Sequence, residues 1–292
     1  MGPCLRRDDA GNCPMASSDA SNPLARIHGT VVLAGAGKMG GALLTGWLAQ
    51  GLDPARVVII DPHVSDDIRA LAAKGVRLNP APSDIEAADA LVLAVKPQMF
   101  HEAAATLKSF VWPSTLVVSI MAGTTIKAIS GACGGNVVRA MPNTPAAIGR
   151  GITVAVPDKS VGAGQRTIAD ALLAATGKIE WLDDETLMDA VTAVSGSGPA
   201  YVFLLAEELA RAGIAAGLPA ELAAKLARET VAGSGELLYR SDLDAATLRQ
   251  NVTSPGGTTA AALGVLMGDD GFKPLLERAV AAATKRSKEL AK

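Results

Sequence analysis

Early in the chain, Gly35-Ala36-Gly37-Lys38-Met39-Gly40 has the spacing of a turn that cradles phosphates. The apolar run Val31-Val32-Leu33-Ala34 precedes it, and an alanine- and leucine-rich segment follows at once. A second apolar run over 57–60 ends in Asp61. Strand, glycine turn, helix and acid-terminated strand, in that order, make a dinucleotide-binding unit. Gly35 allows the tight turn, Gly37 lets the backbone approach a pyrophosphate, and Gly40 lets helix and strand pack closely. The helix start offers free N–H groups and its positive dipole end to the phosphates. Asp61 is placed to accept hydrogen bonds from the adenosine ribose hydroxyls, which favours NADH. His63, two residues on, is a basic group that a 2′-phosphate could use, which keeps NADPH open.

Three further stretches could carry chemistry. Lys96 follows Ala94-Val95 and precedes Pro97, which holds it out of helical geometry. There it can meet a cofactor phosphate or the nicotinamide ribose, or be an ordinary lysine at a helix start. Ser195-Gly196-Ser197-Gly198-Pro199-Ala200-Tyr201 opens a long helix, with Ser197 or Gly198 as cap and Pro199 in the first turn. Its glycines also suit a backbone that must approach a ligand. Thr253-Ser254-Pro255-Gly256-Gly257-Thr258-Thr259 is the most informative turn of the second half. Uncovered amides, flanking hydroxyls and an immediate helix start form an anion site suited to a carboxylate. A capped interhelical loop would need only one hydroxyl and one glycine.

Other chemistries find no pattern. His28, His63 and His101 are scattered, with no Cys or acid at metal-ligand spacing, so no metal is expected. Neither a GxSxG elbow nor a GxxxxGK[ST] loop occurs. Glu207-Glu208 reads as a solvated or interface helix face, and Cys133 between glycines reads as packing.

The elements that must position these residues follow from periodicity. Strands are expected over 30–34, 56–60, 90–94, 115–119, 136–140, 152–156 and 178–181, with helices near 38–50, 65–74, 98–109, 124–131 and 160–175. Such alternation implies an α/β fold with a mostly parallel sheet, covered on both faces, whose ligands sit at the C-terminal strand ends. Those ends are residues 35–40, Asp61-Pro62, Ala94-Val95-Lys96-Pro97, Met121-Ala122-Gly123 and Met141-Pro142-Asn143-Thr144-Pro145. From 184 onward every segment is helical: 184–194, 198–216, 219–239, 244–251, 258–267 and 270–290. The stretch 185–217 is apolar nearly all round, so it must be covered by other helices, and in a domain of this size that points to a subunit interface. The expected division is a leader over 1–27 without structure, a Rossmann domain over 28–183 and an all-helical domain over 184–292. Met15 is an alternative start within that leader.

Of the 292 residues 49% are apolar and only 3% aromatic, so small side chains must build the core. A net charge of −2 gives no footprint for nucleic acid, and no run of 18 apolar residues offers a membrane span. Arg6 and Arg7 precede no apolar region, which argues against a secretory signal. Cys4, Cys13 and Cys133 make no disulfide framework, so a reducing, cytoplasmic setting is expected.

Taken together, residues 35–40, Ala94-Val95-Lys96-Pro97, the 139–145 stretch, the 193–201 stretch and Val252-Thr253-Ser254-Pro255-Gly256-Gly257-Thr258-Thr259 resemble the pyrroline-5-carboxylate reductase family. The match runs from about Thr30 to the C-terminus, and the 252–259 stretch is its most family-specific piece. The resemblance implies a Rossmann domain followed by a helical dimerisation domain, with interlocked dimers often built into rings such as a decamer. It also implies reduction of the C=N bond of Δ1-pyrroline-5-carboxylate to L-proline with NADPH or NADH, the last step of proline biosynthesis.

By that resemblance Gly35, Ala36, Gly37, Lys38, Met39 and Gly40 hold the pyrophosphate. Ala94, Val95, Lys96, Pro97, Met121, Ala122, Gly123 and Asn143 line the nicotinamide half. Ser254, Gly256, Gly257 and Thr258 hold the substrate carboxylate, and Thr259 matches the active-site threonine near the ring nitrogen. Asp242 stands where family members carry the longer Glu. Many members end the second strand in Ser, Asn or Arg and prefer NADPH, so Asp61 is a departure. The leader has no counterpart. A small cyclic imine can take its proton from water, so the lack of a His or Cys constellation is compatible with this reaction.

Two rivals fit less well. A β-hydroxyacid dehydrogenase needs a catalytic lysine in the helix after the domain boundary, and the segment from Gly196 to Gly213 has none. A nucleotide-binding regulator would have no use for a carboxylate site.

Overall fold

The computed structural model describes residues 23–85 and 88–290. Eight strands form one sheet: β1 (Thr30–Ala34), β2 (Val57–Ile60), β3 (Arg77–Leu78), β4 (Ala88–Leu93), β5 (Leu116–Ser119), β6 (Asn136–Met141), β7 (Gly151–Pro157) and β8 (Gly177–Trp181). Their order is β3-β2-β1-β4-β5-β6-β7-β8, and every pair is parallel except β6 with β7.

Side chains alternate across this sheet and feed two cores, as the two-residue period of a strand requires. On one face Val31, Leu33, Val57, Ile59, Ala90 and Val92 pack with Leu43, Leu44 and Trp47 of α1 (Lys38–Ala49) and Leu172 and Leu173 of α5. Ile68 of the short α2 (Asp66–Ala70) joins the same core. On the other face Val32, Ala34, Leu91, Leu93 and Val117 meet Phe100 and Leu107 of α3 (Phe100–Lys108) and Ile129 and Cys133 of α4 (Ile126–Cys133). Helix α5 spans Ala163–Ala174, and the Trp47 indole N–H donates to the Leu172 carbonyl at 2.7 Å, tying α1 to α5 inside the core. The doubly wound sheet with helices on both faces is the expected Rossmann architecture.

Four details differ from the sequence reading. β3 was not expected, since two residues leave no periodicity to read. β7 runs antiparallel, because only the tight turn Thr144–Ile148 joins it to β6 and a parallel return needs a longer crossover. The expected helix 65–74 is α2 followed by a 3₁₀ turn over Leu71–Lys74. The structureless leader expected through residue 27 ends sooner. Pro23–Arg26 forms a 3₁₀ turn, with Leu24 and Ile27 buried in the first core. Residues 1–22, with Cys4 and Cys13, lie outside the described residues.

After β8 all structure is helical: a 3₁₀ turn over Glu185–Leu187, α6 (Met188–Val191), a π turn over Thr192–Gly196, α7 (Gly198–Ala215), α8 (Ala220–Arg240), α9 (Ala245–Asn251), α10 (Thr258–Leu266) and α11 (Phe272–Leu290). Of the two expected caps, Ser197 and Gly198, Ser197 stands at the N-cap of α7 but makes no side-chain cap. The chain arrives already helical through the π turn, and the Ser197 N–H donates to the Thr192 carbonyl. Helices α7 and α8 pack as a hairpin, yet α7 buries none of its residues within the chain. Val202, Phe203, Leu204, Leu205 and Leu209 are exposed, Phe203 by 66%. Among the described residues no helix is long and apolar enough to cross a membrane.

Two expectations follow. A Cβ on Gly46 would lie 2.5 Å from the Ala175 carbonyl oxygen, so α1 approaches the end of α5 through that glycine. Gly46→Ala should lower the urea midpoint, because overpacking costs about 1–3 kcal/mol and exceeds the helix-propensity gain of under about 1 kcal/mol. A raised midpoint would show that the helix gain wins. Burial pushes the Cys133 thiol up to about 11, against a smaller opposing pull from Lys108, so no thiolate is present near neutrality. In a Cys4→Ser, Cys13→Ser background a thiol reagent at pH 8 should label nothing until the protein is unfolded.

Candidate functional site

The order of the sheet reverses between β1 and β4, which opens a crevice beyond their C-terminal ends. The 35–40 turn lies there. Gly35 has φ +90°, and a Cβ on it would sit 2.7 Å from the Ala94 carbonyl oxygen, so only glycine lets the two strand ends come this close. A Cβ on Gly40 would run into the Gly35 carbonyl oxygen, which is the close helix–strand packing expected of it. Above Gly37 nothing lies within 4 Å of where a side chain would start. Helix α1 begins without a side-chain cap, and its first internal bond joins the Gly41 N–H to the Gly37 carbonyl. The amides of Lys38, Met39 and Gly40 therefore precede the helix's own bonding, and the turn is exposed at Gly37 and Lys38 while Gly40 is buried against the strand end.

Asp61 sits half-buried at the end of β2 and touches the turn directly. Its Oδ2 accepts the Ala36 N–H at 2.8 Å and its Oδ1 accepts the His63 N–H at 2.7 Å. The Asn79 side chain fixes the Asp61 backbone from both sides, accepting its N–H and donating to its carbonyl, each at 2.9 Å. Asn79 holds φ 47° to do so, a left-handed conformation that asparagine tolerates. Each carboxylate oxygen keeps acceptor capacity for a further donor.

A second cleft, of about 780 Å³, opens where β4 and β5 end. The Rossmann half contributes Pro97 with Gln98 and the Ala122-Gly123-Thr124 loop, whose Gly123 has φ +71°. The helical half contributes Thr192, the first residue of the π turn, and Ser197, just after it. The last turns of α11 close it with Arg286 and Ser287, and the Ser287 hydroxyl donates to Asp189 of α6 at 2.6 Å. The part played by α11 was not read from sequence, since nothing in its charged amphipathic pattern distinguishes it from a solvated helix. Lys96 is exposed and extended before Pro97, in the geometry the proline dictates. Asn143 spends its side-chain carbonyl on the Ile152 N–H at 3.0 Å, leaving its amide as the free donor.

Of the residues expected around the nicotinamide, Pro97, Ala122 and Gly123 line this cleft; Ala94, Val95, Lys96, Met121 and Asn143 do not, and the residues expected to bind substrate stand apart from it within one chain. Ser254, Gly256 and Thr258 are exposed, and Gly257 and Thr259 half-exposed, at the start of α10. Gly256 has φ +72°, and the Gly257 N–H is taken by the Ser254 carbonyl at 3.0 Å. That corrects the expected set of free amides: Gly256, Thr258 and Thr259 offer theirs, and Gly257 shapes the turn. Asp242 is exposed and makes no hydrogen bond to this loop among the described residues. No residue of α9, of the 252–257 loop or of α10 lines the cleft. Among the described residues no group of His, Cys, Asp and Glu could hold a metal ion.

A part-buried polar junction joins the two halves. Arg139 on β6 is 5% exposed, and its Nη1 donates to Glu185 Oε1 at 2.8 Å. The same oxygen accepts the N–H of Ile126, the first residue of α4, at 2.9 Å. Glu185 itself was not singled out from sequence, although an arginine inside the apolar strand Val137-Val138-Arg139-Ala140 was a visible signal.

Comparison with known proteins covers both halves. The family profile described as pyrroline-5-carboxylate reductase dimerisation matches residues 185–290, and one described as NADP oxidoreductase, coenzyme F420-dependent, matches 30–123. The pyrroline-5-carboxylate reductase of Pseudomonas aeruginosa is 41% identical over 89% of this chain and 96% of its own. That of Synechocystis is 41% identical over 88% and 97%, and that of Glycine max 38% over 89% and 96%. Among solved structures, the enzyme from Coxiella burnetii superposes with a TM-score of 0.83 at 33% identity, covering 90% of this chain and 99% of that one. The Plasmodium falciparum enzyme, solved with NADP bound, gives 0.74 at 30% identity, over 91% and 99%. An open glycine turn at the sheet's reversal, an apolar helical half and full-length likeness to these enzymes agree: the chain belongs to the pyrroline-5-carboxylate reductase family.

Proposed function

We propose that this chain reduces the C=N bond of Δ1-pyrroline-5-carboxylate to L-proline with NAD(P)H, the last step of proline biosynthesis, as a cytoplasmic homo-oligomer. The observation that carries this reading is the likeness of nearly the whole chain to such reductases, with a dimerisation profile whose span includes the 252–259 loop. Residues 28–183 serve as the cofactor-binding domain and 184–292 as the dimerisation and substrate domain. The dimer covers the apolar face of α7, and the family resemblance extends it to rings of dimers.

The residues present suit a nicotinamide dinucleotide. Gly35, Ala36, Gly37, Lys38, Met39 and Gly40 would hold the pyrophosphate with backbone amides and the dipole of α1, and Asp61 the adenosine ribose. Ala94, Val95, Lys96, Pro97, Met121, Ala122, Gly123 and the free Asn143 amide would line the nicotinamide half. When bound, the cofactor supplies the hydride. The substrate carboxylate rests on the amides of Gly256 and Thr258 with the Ser254 hydroxyl, and Gly257 holds the loop in shape. Thr259 donates to or accepts from the ring nitrogen, and Asp242 is a nearby acid of the same domain. One chain leaves this loop outside its own cleft, so a partner subunit's loop completes the site.

Asp61 sets the cofactor choice. A carboxylate that holds the adenosine ribose would meet any 2′-phosphate there, and like charges at about 4 Å repel by roughly 1–4 kcal/mol near a protein surface. NADH should therefore give the higher kcat/KM when cofactor oxidation is followed with pyrroline-5-carboxylate. Asp61→Ser should shift the NADPH-to-NADH ratio by roughly tenfold. Turnover with neither cofactor, despite nucleotide binding, would overturn the reductase reading, and an NADPH preference would return Asp61 to a purely structural role at the turn. Thr259→Ala should lower kcat/KM for the imine by roughly 10²-fold with cofactor affinity intact. An unchanged value would remove Thr259 from the reaction.

A further inference from the structure

Glu185 holds three separate pieces of the nicotinamide cleft with one carboxylate. Through Arg139 it grips β6, two residues before Met141. Through the Ile126 N–H it grips the start of α4, three residues after Gly123. Along its own chain it leads through α6 into the π turn, whose first residue Thr192 and the following Ser197 line the opposite wall. The strand's two-residue period puts Met141 on the same face as Arg139, and the Met141 methyl lies against Gly196 of that turn. The Tyr201 hydroxyl locks the turn from the far side by donating to the Ala193 carbonyl at 3.0 Å. The Ala122-Gly123-Thr124 loop and the Thr192–Gly196 turn are therefore spaced across the cleft by this shared oxygen.

The energetics favour a geometric role over a stabilising one. Taking Arg139 out of water is costly, and a buried ion pair seldom gains more than that desolvation takes away. A pair with its arginine buried, its carboxylate 29% exposed and a shared backbone donor does fix distances, since an ionised acceptor gives short bonds and a displaced partner strands the buried arginine's charge. A π turn, an uncommon irregularity in helices and often one found at functional sites, sits on the element it anchors.

We propose that Glu185 is a positioning residue: paired with Arg139 and Ile126, it sets the width of the cleft that receives the nicotinamide and the imine. This rests on the reductase reading, with the nicotinamide at the β4 and β5 ends. The adenosine half, held at residues 35–40 and Asp61, is independent of it.

The test uses Glu185→Gln in the full-length oligomer, which keeps the shape and an acceptor for Ile126 while discharging the pair. The Arg139→Met, Glu185→Gln double variant serves alongside, because it removes the stranded cation should the single variant fold poorly. Measured values are kcat and KM, the isotope effect with cofactor deuterated at the transferred position, and the Kd values of NADH and of ADP-ribose. A mis-set cleft predicts a roughly tenfold to hundredfold loss of kcat in both variants, a larger isotope effect, and weaker NADH binding beside unchanged ADP-ribose binding. Glu185→Asp should not rescue, because the shorter acid cannot reach both donors. A folded variant with wild-type kcat and isotope effect, or a double variant restored to wild type, would overturn the proposal. Should the wild type itself show no turnover, the reductase reading falls, and the NADH-against-ADP-ribose comparison still decides whether Glu185 shapes the cleft.

Discussion

Helix α7 exposes Val202, Phe203, Leu204, Leu205 and Leu209 and buries none of its residues within the chain. Burial of apolar surface is worth about 25 cal/mol per Å², so a helix left this way is stable only when something covers it. The profile matched by 185–290 is that of a dimerisation domain, which names the cover. The arrangement of the rest follows from this constraint. The Rossmann half closes its own two cores on either side of the sheet and needs nothing more. The helical half spends its apolar residues on association, and its 252–259 loop stands apart from the cleft of its own chain. Covering the apolar face of the second half is in this way tied to association.

The alternation of strands and helices was legible because β1, β2, β4 and β5 carry unbroken apolar runs and a glycine or proline stands just before α1, α5, α8 and α10. The nucleotide turn was legible for the same local reason: Gly35, Gly37 and Gly40 each answer a steric demand set within a few residues. What escaped depended on partners distant in sequence. Nothing near Leu24 announces that it packs against α5, and nothing in the 195–198 run, which reads as a capping motif, announces a π turn. The antiparallel β7 followed from the tightness of the turn before it, which periodicity does not report. At the site, Asp61 could be read as the acid ending β2. Its bond to the Ala36 N–H, which makes it part of the turn as well, could not.

Asp61 shows how a single carboxylate serves two demands. Holding the Ala36 N–H and the His63 N–H fixes the glycine turn against β2 before any nucleotide arrives. A preorganised turn loses less freedom on binding, which favours affinity without adding contacts. The acceptor capacity that remains faces donors, and a ribose hydroxyl is a donor where a phosphate is not.

The chemistry needs placement more than it needs acids or bases. A cyclic imine can draw its proton from water, and hydride transfer asks mainly that two carbon atoms meet in the correct orientation, which can supply much of a barrier's reduction. A protein made mostly of small side chains has few means to hold two walls apart at a set distance, since alanine and glycine contacts are adaptable. An ion pair with a buried arginine is poor at stabilising a fold but good at fixing a spacing, because its bonds are short and its disruption strands the arginine's charge. Arg139 and Glu185 stand where strand β6, the start of α4 and the entry to the helical half converge. At that junction a fixed spacing bears on both walls of the cleft.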